Sequence, residues 1–133
     1  MILLDTHVLL WWQAGGGRLS AVARRAIDSA DGILVSPITC WEVGLLASKG
    51  RIELDRDPMV WVQDFLASDR VAVAELTVTA AVAAARLASD GFPGDPADGF
   101  LYATAREHDV PLVTKDERMR RHARERRDLR VIW

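Results

Sequence analysis

Residues 1–7 read Met-Ile-Leu-Leu-Asp-Thr-His, an apolar run that ends at an acid. Ile2, Leu3 and Leu4 read as a strand covered on both faces, as in the centre of a parallel sheet. Asp5 then stands at the carboxyl end of that strand, the edge where open α/β sheets place their sites. Further strands follow at Ile33–Ser36, at Val71–Leu76, in PLVT (111–114) and in LRVIW (129–133). Capped helices lie between them. Ser20 precedes AVARRAIDSA, and Pro37 opens a helix that runs to about Lys49 with Gly50 as its stop. Asp57-Pro58 and Asp95-Pro96 each set a cap before a proline. Thr77 or Thr79 starts an alanine-rich helix ending near Gly91, and Asp116 starts an arginine-rich one. The stretch after Asp5, HVLLWWQAGGGRL, is expected to be an apolar turn of chain with a mobile triple-glycine loop. Strands alternating with helices predict one three-layer α/β domain over residues 1–133, with a central, mainly parallel sheet and helices on both faces.

The composition narrows the class. A chain of 133 residues, half of them apolar, can bury one good core and is too short for two ordinary domains. Its apolar runs are broken well before the roughly 20 residues of a membrane span. No basic region and apolar core of a signal peptide opens the chain, so the expected location is cytoplasmic, with no membrane partner. The one cysteine, Cys40, leaves no internal disulfide and no structural zinc cluster. The net charge of −2 hides an asymmetry. Residues 118–130 hold seven arginines against Glu125 and Asp128, an excess of five, so the remainder carries −7. Such a segment suits a polyanion or a solvated helix face.

Four carboxylates stand out. On its helix Glu42 shares a stripe with Ile38, Trp41, Leu45 and Leu46, which places it toward the core. A carboxylate there is costly unless it is ion-paired or bound to a metal, and the pattern leaves both open. Asp98 falls in the first turn after the cap Asp95, where the helix dipole alone can account for an acid. Asp116 follows the strand PLVT directly, at a strand's end and a helix's start, a position that capping also explains. Brought together with Asp5 at one sheet edge, these acids would repel unless cations held them. Hard oxygen ligands suit Mg2+ or Mn2+, which activate water and steady in-line displacement at phosphorus. The histidines offer no rival chemistry. His7 is read as a loop or packing residue within reach of substrate, and His108 and His122 as surface helix residues. Trp11, Trp12, Trp41 and Trp61 are assigned to core or dimer-interface packing rather than to base stacking. Nucleophile elbow, P-loop and dinucleotide fingerprints are absent.

The ordered set MILLDTHVLLWW (1–12), SPITCWEVGLLASKGRIEL (36–54), GDPADGFLYATA (94–105) and PLVTKDERM (111–119) resembles the PIN-domain nucleases, in particular VapC-type toxins of toxin–antitoxin pairs. The resemblance implies a PIN-like fold and a Mg2+- or Mn2+-dependent endoribonuclease. It puts the four metal-site acids at Asp5, Glu42, Asp98 and Asp116, with Thr6 and Thr114 at substrate-side hydroxyl positions. It also implies a homodimer and a cognate antitoxin whose tail enters the groove. Gly99 and Leu46 depart from the family, which often has arginine and lysine there. Arg118, Arg121 and Arg124, or Arg120, Arg124 and Arg127, align along one side of the helix that begins at Asp116, as a path for an RNA backbone or a face paired with Glu117 and Glu125. Two alternatives remain. One is a non-catalytic PIN-like RNA-binding module. The other is a magnesium-binding receiver-type switch, disfavoured because Asp5 is followed by Thr6 and His7 and the second strand ends in Ser36.

Overall fold

All three residues of the first strand, β1 (Ile2–Leu4), are buried in the computed structural model, which describes residues 1–133. The strand is flanked on both sides. Ile2 pairs with Ile33 of β2 (Ile33–Val35), and Leu3 with Leu112 of β4 (Leu112–Val113). With β3 (Val71–Val73) beside β2 and β5 (Val131–Ile132) beside β4, five strands form one sheet in the order β3-β2-β1-β4-β5. Every pairing is parallel, where the sequence predicted a mainly parallel sheet.

Alternate side chains of β1 feed opposite layers. Ile2 and Leu4 pack with Val8, Ile27, Val43 and Phe65, whereas Leu3 packs with Leu87, Tyr102 and Met119. One face is therefore covered by α1 (Thr6–Gln13), α2 (Ala21–Ser29), α3 (Pro37–Ser48) and α4 (Pro58–Leu66). The other is covered by α5 (Val78–Ser89), α6 (Pro96–His108) and α7 (Glu117–Arg126). Leu3 and Leu4 are fully buried, each contributing about 1.5–3 kcal/mol. From β1 the chain winds out through β2 to β3, then returns to β4 on the other flank. The winding direction reverses at the carboxyl ends of β1 and β4, and a crevice opens there.

Three local expectations are corrected. The segment after Asp5 is the helix α1, not an apolar turn. Val8 and Leu9 are buried and Leu10, Trp11 and Trp12 half-buried, so no polar face marks the helical period. Its triple-glycine end is pinned: Arg24 Nη2 donates to the Gly16 carbonyl at 2.6 Å, with Gly16 at φ +77°. The third strand stops at Val73, an exposed edge residue, short of Leu76. His122 is buried rather than on the surface, with its ring edge-on to Phe92 and Tyr102.

Candidate active site

Three of the acids at the crevice are helix caps as well. Asp5 ends β1 and caps α1, accepting from the His7 amide at 2.8 Å. Its other oxygen accepts from the Thr114 hydroxyl, just beyond β4. That hydroxyl in turn accepts from the Asp116 amide at 3.1 Å, so one threonine ties the two strand ends together. Asp116 caps α7 by accepting from the Met119 amide at 3.0 Å. Asp95 caps α6 in a reciprocal box: the Asp98 amide donates to Asp95 at 3.0 Å, and the Asp95 amide donates to Asp98 at 3.2 Å. A Cβ at Gly94 would stand 2.6 Å from Asp98 Cβ and 2.9 Å from its Oδ2, so only glycine admits this approach. Glu42 reaches in from the second turn of α3 and accepts from the buried Thr6 hydroxyl at 2.6 Å. The positive ends of α1, α6 and α7 all meet this negative charge.

These side chains line a cavity of about 410 Å³ together with His7, Trp11, Lys115 and Arg118. Its electrostatics are strained in one sense. Burial, then the charge of Asp95 and those of Asp5 and Asp116, push the Asp98 carboxyl up to about 7. Burial also raises Asp5, against the bonds from Thr114 and His7. Glu42 is raised by burial and by Asp95 and Asp5, with the Thr6 bond opposing. A cavity that resists its own charge and presents the carboxylates of Asp5, Glu42, Asp95, Asp98 and Asp116 fits a hard divalent cation. No three of its groups already stand at the spacing of a metal site, so it is the donor chemistry, not a formed coordination shell, that fits the cation.

The position of Glu42 differs from expectation. The inward face of α3 is Thr39 and Val43, and Trp41 is 57% exposed. Ile38, Trp41 and Leu45 line a shallow apolar groove with Pro96 and Phe100, and Glu42 and Asp95 form its rim. Glu42 therefore sits where groove meets acid cavity. None of the ion pairs in the chain involves it, which removes the salt-bridge alternative.

The structure divides the arginines. Arg118 lines the acid cavity, with Nη2 4.0 Å from Asp116. Arg120 is half-buried and its Nε has no partner. Arg124 and Arg127 lie at the far end of α7, around a second cavity with Arg106 and Arg130. They are not brought to the acids. Sequence reading missed Asp95, Trp11 and Lys115 as cavity residues, and placed Arg118 only in an arginine track that begins beside Asp116. Lys115 directly precedes Asp116, and that adjacency was the available signal.

A parallel α/β sheet with carboxylates converging at its reversal point defines a class of α/β domain with an acidic site. Within that class the chain belongs to the PIN domain family, whose pattern matches residues 2–125. It is 44% identical over 121 residues to Ribonuclease VapC22 of Mycobacterium tuberculosis, covering 91% of each chain. Among solved structures it is similar to VapC20 of Mycobacterium tuberculosis, a Sarcin-Ricin loop cleaving toxin, with TM-score 0.66, 19% identity and coverage of 92% and 95%. It is also similar to VapBC-5 of the same organism, from the VapBC family of toxin-antitoxin systems, with TM-score 0.63, 20% identity and coverage of 98% and 95%.

Proposed function

We propose that this PIN-domain protein is a metal-dependent endoribonuclease, the toxin of a toxin–antitoxin pair, which hydrolyses RNA phosphodiester bonds in the acid cavity. One observation carries the reading: Asp5, Glu42, Asp98 and Asp116, drawn from four separate elements, converge on one cavity in which Asp98 is pushed up to about 7. The 44% identity to a ribonuclease supports the substrate class. All four acids face the cavity, which favours catalysis over a purely RNA-binding module.

A divalent cation held by Asp5, Asp98, Asp116 and Glu42 would supply charge stabilisation at phosphorus and a more acidic attacking water. The ion is Mg2+ or Mn2+, both of which suit carboxylate oxygens. Thr114 holds Asp5 oriented, and Gly94 leaves Asp98 its place. Thr6 holds Glu42 at the rim, where its carboxylate would complete the cation's ligand set or orient the attacking water. Lys115 and Arg118 meet the phosphate at the mouth, and the RNA backbone continues along α7 past Arg120 to Arg124 and Arg127. Residues 1–133 act as one domain. The protein works in the cytoplasm as a homodimer held in check by a cognate antitoxin. No helix is long and apolar enough to cross a membrane.

The test is cleavage of a mixed RNA pool with Mg2+, with Mn2+ and with EDTA, by wild type, Asp5→Asn and Asp98→Asn. Cleavage by wild type alone, and only with a divalent ion, is expected. Equal cleavage by Asp98→Asn, or none by wild type with either ion, overturns the proposal.

A further inference from the structure

Trp11 is the one large aromatic ring in the wall of the acid cavity, and it serves no core. Half-buried near the end of α1, it lines both the acid cavity and a neighbouring cavity of about 750 Å³, as does His7. The two rings stand together where the cavities adjoin. Two rings pack against it at tilted angles: His7, with centroids 5.9 Å apart, and Trp133, also at 5.9 Å. The ammonium of the exposed Lys115 lies over its face, 5.7 Å from the ring centre.

We infer that the Trp11 indole is a stacking platform for one base beside the scissile phosphate, with Lys115 as its displaceable cover. The inference rests on the ribonuclease reading of the acid cavity. Three observations carry it. First, Trp11 shares its cavity with Asp5, Asp98 and Asp116, so a base on the ring belongs to a nucleotide whose phosphate is at the acids. Second, the magnitudes favour exchange: an exposed cation–π contact is worth about 0.5–1 kcal/mol, a stacked base about 1–3 kcal/mol. Third, Lys115 stands directly before Asp116, so the lifted ammonium stays within the mouth of the cavity, where a phosphate oxygen replaces the ring as its partner. A base held in a duplex cannot lie on the ring, so the platform selects unpaired nucleotides at the cleavage point.

The experiment uses the full chain with Ca2+ in place of Mg2+, to suppress cleavage, and a short single-stranded RNA bearing one abasic ribose walked along its length. Binding to wild type should fall about five- to 150-fold at one position and little elsewhere. Trp11→Ala should weaken the intact RNA by a similar factor, lose the position dependence, and leave the slope against log salt unchanged, since no phosphate contact is removed. Trp11→Phe should restore most of the affinity. Equal loss at every abasic position, or a Trp11→Phe protein that folds but binds like Trp11→Ala, overturns the platform. The abasic series on wild type decides the matter even if Trp11→Ala does not fold. Wild type that cleaves no RNA in either Mg2+ or Mn2+ would instead refute the ribonuclease reading beneath it.

Discussion

Replacing Asp98 by asparagine should make the cation-free protein more stable at neutral pH. Asp98 titrates at about 7 in the folded chain against 3.8 for an ordinary aspartate. Between those values the folded chain holds a proton that the unfolded chain has released. Stability from this group is therefore complete below about pH 4, falls as pH rises, and is lost above 7. At 1.36 kcal/mol per unit the whole shift would amount to about 4 kcal/mol. Asp98 is partly exposed to solvent, and screening reduces that to about 2 kcal/mol. Asparagine removes the charge yet keeps an oxygen to accept from the Asp95 amide, so the cap on α6 survives. In EDTA at pH 8 the variant should melt about 6–10 °C above wild type, and the gap should shrink toward pH 4. Mg2+ at a hundred times its dissociation constant should raise wild type by about 2.7 kcal/mol and the variant far less. Melting curves at both pH values, with and without the ion, measure all of this. A variant no more stable than wild type at pH 8, with an undiminished response to Mg2+, would refute the electrostatic account of the cavity.

Glu42→Gln should lower RNA cleavage by at least about 100-fold while costing under about 1 kcal/mol of stability, because no cation is left unpaired and the amide oxygen can still accept from Thr6. Denaturant titration and a cleavage assay on one preparation check both, and retained activity removes Glu42 from the chemistry. Thr114→Val takes away the donor that holds Asp5 down and should cost about 1–3 kcal/mol. With Asp5 raised further, Mg2+ affinity by calorimetry should drop, and drop more as the pH is lowered; a drop that stays the same down to the lowest pH at which the protein is folded argues for a purely steric role. Alanine at Arg120, Arg124 and Arg127 should flatten the salt dependence of single-strand RNA binding by about 0.7 per lost contact without moving the Mg2+ midpoint. An unchanged slope would end the RNA path at Arg118.

The sheet was legible in the sequence because strands buried on both faces have nowhere to hide a polar residue, and because each later helix announces its start with a cap. The first helix escaped for the opposite reason. Apolar nearly all round, α1 shows no period, and its only cap is Asp5, already read as the end of a strand. Competing explanations of the acids turned out to be compatible. Asp5, Asp95 and Asp116 cap helices and line the cavity at once, since a helix that starts at the carboxyl edge of this sheet must point its first turn into the crevice. Periodicity placed Glu42 on the right stripe of α3 but could not say that the stripe faces a surface groove rather than the core. Likewise the helical spacing of Arg124 and Arg127 is real, yet α7 runs away from the acids, so alignment along its axis carries them to the opposite edge.

The bond from Thr114 to Asp5 spans 109 positions of sequence, and this sets a schedule during synthesis. At 5–20 residues per second, roughly 5–20 s separate the appearance of the first acid from that of the hydroxyl that orients it. Throughout that interval β1 can pair with β2 alone, its other edge is bare, and Asp116 does not yet exist. A chain that ends just before Thr114 carries three of the four proposed ligands, Asp5, Glu42 and Asp98, and lacks Asp116. On the proposed site, hydrolytic competence arrives as a single event once residue 116 has been made, near the end of translation.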